Sequence, residues 1–287
     1  MEIIGTAKHF AKYLRWQGRR FRAAQKWGKD SFQQLPVIFG NAMPKSGSHL
    51  LTQVLFGLTE IGPFVDPGFP PVNRTENNQP RSEKAIVRSL LELRHGDIRY
   101  GYLHAREPYL SLLTKPGWAT IFIYRDPRDM LVSHVFYATD MYHGHGMHRY
   151  YTEHLKSMEE RLDAAIEGVR IPGFGLASVC ERYDSYLGWL RCDEILSLRF
   201  EDFILKRKET LARLLDYLSK KGFRSSFGRD HEIAVLEKAI QPGKSGTFRK
   251  GQPGNWRDHF TDENKERFKT VAGDLLQTLG YEENNDW

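Results

Sequence analysis

From Leu35 to Met43 the chain is almost wholly apolar; it then turns through Pro44-Lys45-Ser46-Gly47 and places Leu50, Leu51, Val54, Leu55 and Leu58 at helical spacing. Strand, loop and helix follow one another without spacer. In such a setting, backbone donors at the helix N-terminus and nearby face an anion, Lys45 adds a mobile positive charge, and the Ser46 and Ser48 hydroxyls can donate. A diphosphate-like group suits the loop. An ordinary strand-to-helix turn with a solvated lysine also fits this segment taken alone. Pro44 stands where a nucleotide triphosphatase loop carries the glycine before its lysine, which weakens a kinase or ATPase reading.

Similar alternation continues downstream. Trp118 to Tyr124 combines aromatic and branched residues, and it runs into Arg125-Asp126-Pro127, where Asp126 can cap a helix and Pro127 can occupy its first position. Helices are expected at about Glu83 to Leu93, from Pro127 toward Tyr137, near Tyr151 to Gly168, at Ser178 to Trp189 and at Lys208 to Lys220, with a further strand at Ile195 to Phe200. Residues 62–82, rich in Pro, Gly, Asn and Arg, read as a surface excursion. The order predicts an α/β fold with a mostly parallel central sheet covered on both faces and binding groups at the strands' carboxyl ends.

A chain of 287 residues is long enough for one well-packed core, so the expectation is a single domain over 35–287 preceded by a basic amphipathic segment over 1–34. In that segment Lys8, Lys12, Arg15, Arg19, Arg22 and Lys26 flank an apolar stripe of Ile3, Ala7, Phe10, Leu14 and Phe21. The stripe is expected to dock on the protein's own core, with a partner or an anionic membrane surface as the alternative. The net charge of +6 attracts a polyanion without choosing among them. No apolar run is long enough to span a membrane and the first residues lack a secretory core, which points to the cytoplasm. Cys180 and Cys192 form neither a disulfide framework nor a zinc pattern, and the histidines at 143, 145, 148 and 154 lack a closed ligand spacing, so no metal is expected.

Two more segments suit anions. Arg125 follows a strand and Ser133 lies two helical turns into the next helix, a pairing that can meet an elongated ligand; alternatively, Arg125 simply pairs with Asp126 or Asp129. Near the C-terminus, Phe248-Arg249-Lys250-Gly251, with Gly254 and Trp256 close behind, brings together a planar cation, a point charge and flexible glycine backbone.

Taken together, Pro44 to Ser48, Arg125 to Ser133 and Arg249 to Gly251 with Gly254 and Trp256 closely resemble, in order, the 5′-phosphosulfate loop, the 3′-phosphate segment and the C-terminal phosphate motif of sulfotransferases that use 3′-phosphoadenosine 5′-phosphosulfate (PAPS). The resemblance covers about residue 35 to residue 275 and implies a P-loop-like three-layer α/β/α fold. It also implies that His104, in Gly101-Tyr102-Leu103-His104-Ala105, is the catalytic histidine. Lys45, Ser46, Gly47, Ser48, His49, Arg125, Ser133, Tyr183, Phe248, Arg249, Lys250 and Gly251 would then bind the cofactor. His49 and Leu50 replace the aromatic that commonly stacks on adenine, and Tyr102 replaces a common lysine.

The chemistry implied is transfer of a sulfuryl group to a hydroxyl, or alternatively an amine, of a small-molecule acceptor, leaving adenosine 3′,5′-bisphosphate. An attacking alcohol must lose its proton, and an imidazole is a suitable base near neutrality. Lys45 would stabilise the leaving phosphate in an in-line displacement that needs no metal. The rival readings are a nucleotide kinase and a noncatalytic nucleotide or nucleic-acid binding module. Nucleic acid is disfavoured because the cationic loops are short and separated instead of forming a broad stripe with aromatic platforms. Homo-oligomer formation is compatible with all of these.

Overall fold

The computed structural model describes residues 2–244 and 250–287, with side chains from Phe10 onward. In chain order the regular elements are α1 (Glu2–Trp27), β1 (Val37–Ala42), α2 (Ser48–Ile61), α3 (Glu83–Leu91), β2 (Ile98–Gly101), α4 (Tyr109–Thr114), β3 (Trp118–Tyr124), α5 (Pro127–Phe136), α6 (Met158–Glu167), β4 (Val169–Ile171), β5 (Phe174–Leu176), α7 (Val179–Leu187), β6 (Leu196–Arg199), α8 (Phe200–Leu205), α9 (Arg207–Lys220), α10 (Arg229–Ala239), α11 (Asp262–Ala272) and α12 (Leu275–Thr278). The chain divides into two compact units, Met1–Tyr124 with Gly188–Lys244, and Arg125–Leu187 with Ser245–Trp287.

The first unit holds a four-stranded sheet in the order β2-β1-β3-β6, parallel at every pairing. All six residues of β1 are buried, as expected of a parallel strand covered on both sides. One face carries Ile38, Ala42, Ile121 and Ile123, which join Leu51, Leu55 and Leu58 of α2 and Leu211, Leu214 and Leu218 of α9 in one core. Gly40 lies on that face. A Cβ there would sit 2.6 Å from a Leu55 methyl, so the missing side chain is what lets α2 lie close against the sheet. The opposite face buries Phe39 and Phe122. This is the α/β fold with a parallel, helix-flanked sheet anticipated above.

Helix α1 forms, but it buries a different face from the one expected. Phe10, Leu14 and Phe21 are 61%, 53% and 60% exposed, whereas Trp16 is 4% exposed. Polar anchors set the rotation of the helix: the Trp16 indole donates to Asp97 at 3.0 Å, Arg20 pairs with the same carboxylate at 3.0 Å, and Arg19 reaches Asp66 at 2.9 Å. Those anchors place Ala23 and Ala24 against the core and turn the Phe10 stripe away from it. Among the described residues, no helix is long and apolar enough to cross a membrane.

In the second unit α5 starts as predicted, with Pro127 in its first turn and the Asp126 carboxylate accepting from the Arg128 amide. The helix expected near Tyr151 to Gly168 is split in two: a π-helical turn covers Tyr150–His154, and α6 starts afresh at Met158, where Ser157 and Glu160 form a capping box. A second such box, Thr261 with Asn264, opens α11, which packs on α6 through Arg267–Asp163 and Asn264–Asp163 contacts of 2.8 and 2.7 Å.

Candidate active site

At the carboxyl end of β1 the chain adopts a tight loop. Lys45 has φ +66° and Gly47 φ +91°, and the Ser46 amide donates back to the Met43 carbonyl at 3.1 Å. Gly47 is the N-cap of α2 and supplies no side-chain acceptor, so the amides of the first turn keep their outward-facing donor capacity. Ser46 is fully buried, and its hydroxyl has no hydrogen-bond partner among the described residues. Buried hydroxyls are nearly always satisfied, so this one marks a position that a ligand oxygen can fill. Gly47 is also held sterically: a Cβ would lie 2.4 Å from the Phe200 ring. Gly47→Ala is therefore expected to cost about 2–4 kcal/mol, combining left-handed backbone strain with overpacking. Urea denaturation measures this, and a loss below about 0.5 kcal/mol would contradict the steric account.

The neighbouring strand brings His104 to the same edge. β1 and β2 run parallel with Asn41 opposite Gly101. The Asn41 amide then clamps the backbone of Leu103 from both sides, its nitrogen donating to the carbonyl and its oxygen accepting from the amide, each at 2.9 Å. The Trp189 indole donates to the same carbonyl at 2.8 Å. Fixing Leu103 fixes the departure of His104, whose side chain is exposed. Desolvation by the surrounding protein atoms, and secondarily the Arg106 charge, lower the His104 imidazole below its ordinary value although its edge meets solvent, so it is neutral and able to accept a proton near pH 7. Tyr102 donates its hydroxyl to Ser48 at 2.9 Å, tying β2 to the loop. Burial pushes that phenol up, which keeps it a donor. His49 is lowered by burial and by Lys45.

The second unit gathers the other two segments. Arg125 follows β3, is 8% exposed and pairs with Asp129 at 3.6 Å, while Ser133 is half-buried on α5. Tyr183 of α7 is buried and donates to the Arg125 carbonyl at 2.8 Å. Asp129 does more than balance Arg125. Its two oxygens accept from the amides of Gly254 and Trp256, each at 2.8 Å, and so bind the glycine-rich C-terminal motif to α5. Beside it the Arg128 guanidinium is 2% exposed, bidentate to Asp126 and paired with Glu282 at 2.6 Å. It is enclosed by the rings of Trp256 and Trp287, whose centroids lie 4.1 and 4.5 Å away. Sequence names Asp129 only as an alternative partner of Arg125, a pairing that forms, and gives Arg128 no role; the two amides that Asp129 holds and the rings that enclose Arg128 carry no local signal. Lys250 pairs loosely with Asp258 at 3.9 Å, and Gly251 has φ +59°. Phe248 and Arg249 lie outside the described residues.

A strand, a left-handed loop rich in donors and a helix N-terminus on a parallel sheet define an α/β protein with a loop suited to phosphate-like groups. The family model of the sulfotransferase domain matches residues 37–280, and the chain belongs to that family. Among its relatives are a 3-alpha-hydroxysteroid sulfotransferase of Cavia porcellus, 26% identical over 165 residues, and a flavonol sulfotransferase-like protein of Flaveria bidentis, 23% identical over 300. The first match spans 53% of this chain and 53% of the relative, so about half of each; the second spans 92% and 90%. Among solved structures, mouse sulfotransferase SULT7A1 in complex with PAP is similar at a TM-score of 0.61, with 14% identity over 94% of this chain and 91% of that one. Retinol dehydratase in complex with androsterone and PAP is similar at 0.55, with 15% identity over 89% and 86%.

Proposed function

We propose that the protein transfers the sulfuryl group of PAPS to a hydroxyl, or alternatively an amine, of a small acceptor, with residues 35–287 acting as one sulfotransferase domain. The observation that carries this reading is the loop of Lys45 to Ser48, with a buried, unpartnered Ser46 hydroxyl beside uncapped helix amides. Those donors suit the 5′-phosphosulfate, and Lys45 neutralises charge on the departing phosphate oxygen. Arg125, Ser133 and the motif of Phe248 to Gly251 serve the 3′-phosphate, and His49 and Tyr183 the nucleoside. His104 removes the acceptor's proton as its oxygen attacks sulfur. PAP bound to the neighbouring folds supports the choice of donor. The names of a 3-alpha-hydroxysteroid sulfotransferase and a flavonol sulfotransferase-like protein, and the androsterone of retinol dehydratase, support a small hydroxylated acceptor.

Purified protein incubated with PAPS and a panel of phenols, sterols and amines should yield products heavier by one sulfuryl group in a mass spectrum. Hydrolysis of PAPS without any adduct would defeat the reading. A pH profile adds a second check. Because only neutral His104 is a base and its pKa is lowered, the acidic limb of kcat/KM should fall below 6.5. Arg106→Gln removes a nearby positive charge, favours the imidazolium and should move that limb upward. A limb that stayed put or moved down would remove Arg106 from the account.

A further inference from the structure

Beside β2, within the first unit, lies a cavity of about 300 Å³ whose walls include Tyr13, Trp16, Phe69, Arg74, Arg81 and Arg99. No residue of the Lys45 loop lines it, nor does His104. Its charges are unevenly matched. Arg81 is occupied by the Val72 and Ala85 carbonyls and the Ser89 hydroxyl at 2.8, 3.0 and 2.9 Å. The two carboxylates of the wall are matched by cations that do not line it: Glu76 pairs with Lys12 at 2.6 Å and Glu92 with Arg88 at 3.0 Å.

Arg99 differs from both. It is 5% exposed, projects from the sheet into the cavity wall, and its Nη1 has no acceptor among the described residues. Its guanidinium lies 5.1 Å from the centroid of Phe69, which itself meets Trp16 edge to face at 6.0 Å. A buried guanidinium with an open donor beside apolar rings is costly unless an anion joins it, and Asp66 and Glu76 act on it only at a distance. Burial without a close counter-charge also lowers its pKa to about 10.

We propose that this cavity binds a small organic anion, an aromatic or similarly flat apolar body carrying a carboxylate or sulfo group. The anion accepts from Arg99, and the body packs on Phe69 and Trp16. Charge-assisted pairing supplies the selectivity and ring contact the remaining affinity. This site is independent of the sulfotransferase reading, and sulfuryl transfer could fail without touching it.

Calorimetric titration of the whole protein with 2-naphthoate and with uncharged 2-naphthamide tests the proposal. Naphthoate should bind in saturable fashion at least about tenfold more tightly than the amide, the loss expected for one charge-assisted hydrogen bond. Arg99→Met should keep its thermal midpoint or raise it, because an apolar chain replaces an unmatched buried charge, yet lose naphthoate affinity at least about tenfold. Saturating adenosine 3′,5′-bisphosphate should leave naphthoate binding unchanged. Equal affinity for acid and amide overturns the proposal even if the variant does not fold. Unaltered naphthoate affinity in a folded variant, or displacement of naphthoate by the bisphosphate, overturns it as well.

Discussion

Replacing His104 by alanine is expected to leave the protein folded and competent to bind adenosine 3′,5′-bisphosphate while slowing single-turnover sulfation of a neutral alcohol by about 10²–10⁴ fold. Stability should change by no more than about 0.5 kcal/mol, since the side chain is exposed and the Asn41 and Trp189 contacts that hold this stretch end on the backbone of Leu103. Its lowered pKa means that protonation does not mask the base at neutrality. The contrast that isolates proton transfer is a nitrophenol already ionised at the assay pH. Such an acceptor needs no base and should lose far less in the variant. Equal losses for alcohol and phenolate would assign His104 to positioning, and no loss for the alcohol would exclude it from the chemistry.

Lys45→Met carries the next largest effect, a fall of about 10²–10³ in transfer with a much smaller loss of product-nucleotide affinity. Charge on the departing phosphate oxygen grows as the bond to sulfur breaks, so a cation there is worth more in the transition state than in the ground state. The substitution keeps a long unbranched chain at a left-handed position, so backbone strain at φ +66° is nearly unchanged between parent and variant. Saturated single-turnover rates and titration with adenosine 3′,5′-bisphosphate separate the two quantities. A large affinity loss at an unchanged saturated rate would make Lys45 a binding residue only.

Much of the fold could be read in the residues where local and tertiary preferences agree. β3 spans Trp118–Tyr124 as its aromatic and branched composition indicates, and the Asp126-Pro127 start of α5 needs no tertiary help. β2 was hidden because Ile98-Arg99-Tyr100-Gly101 has neither an apolar run nor a clean alternation, and it gains its partner only through the register with β1. The N-terminal helix was legible as a helix but not in its facing. Its most regular apolar stripe lost to a buried Trp16 fixed by Asp97, a residue 81 positions away that no local pattern connects to it. The candidate site divides in the same way. The loop of Lys45 to Ser48 carries its geometry in its own glycine and helix start, whereas the role of Asp129 depends on amides 125 and 127 residues downstream.

That separation bears on how the chain is made. Each of the two units is assembled from two stretches that alternate along the sequence, so neither can close when the first of its stretches leaves the ribosome. β3 must wait with an open edge for β6, and Asp129 waits for Trp256, 127 residues later, which at ordinary synthesis rates is roughly 6–25 s. During that interval the nascent chain presents an unpaired strand edge and, at Arg128, a cation destined for an aromatic cage that does not yet exist. Yield in a cell should therefore depend on chaperone supply and on translation speed through residues 125–256 more steeply than the stability of the finished protein would suggest.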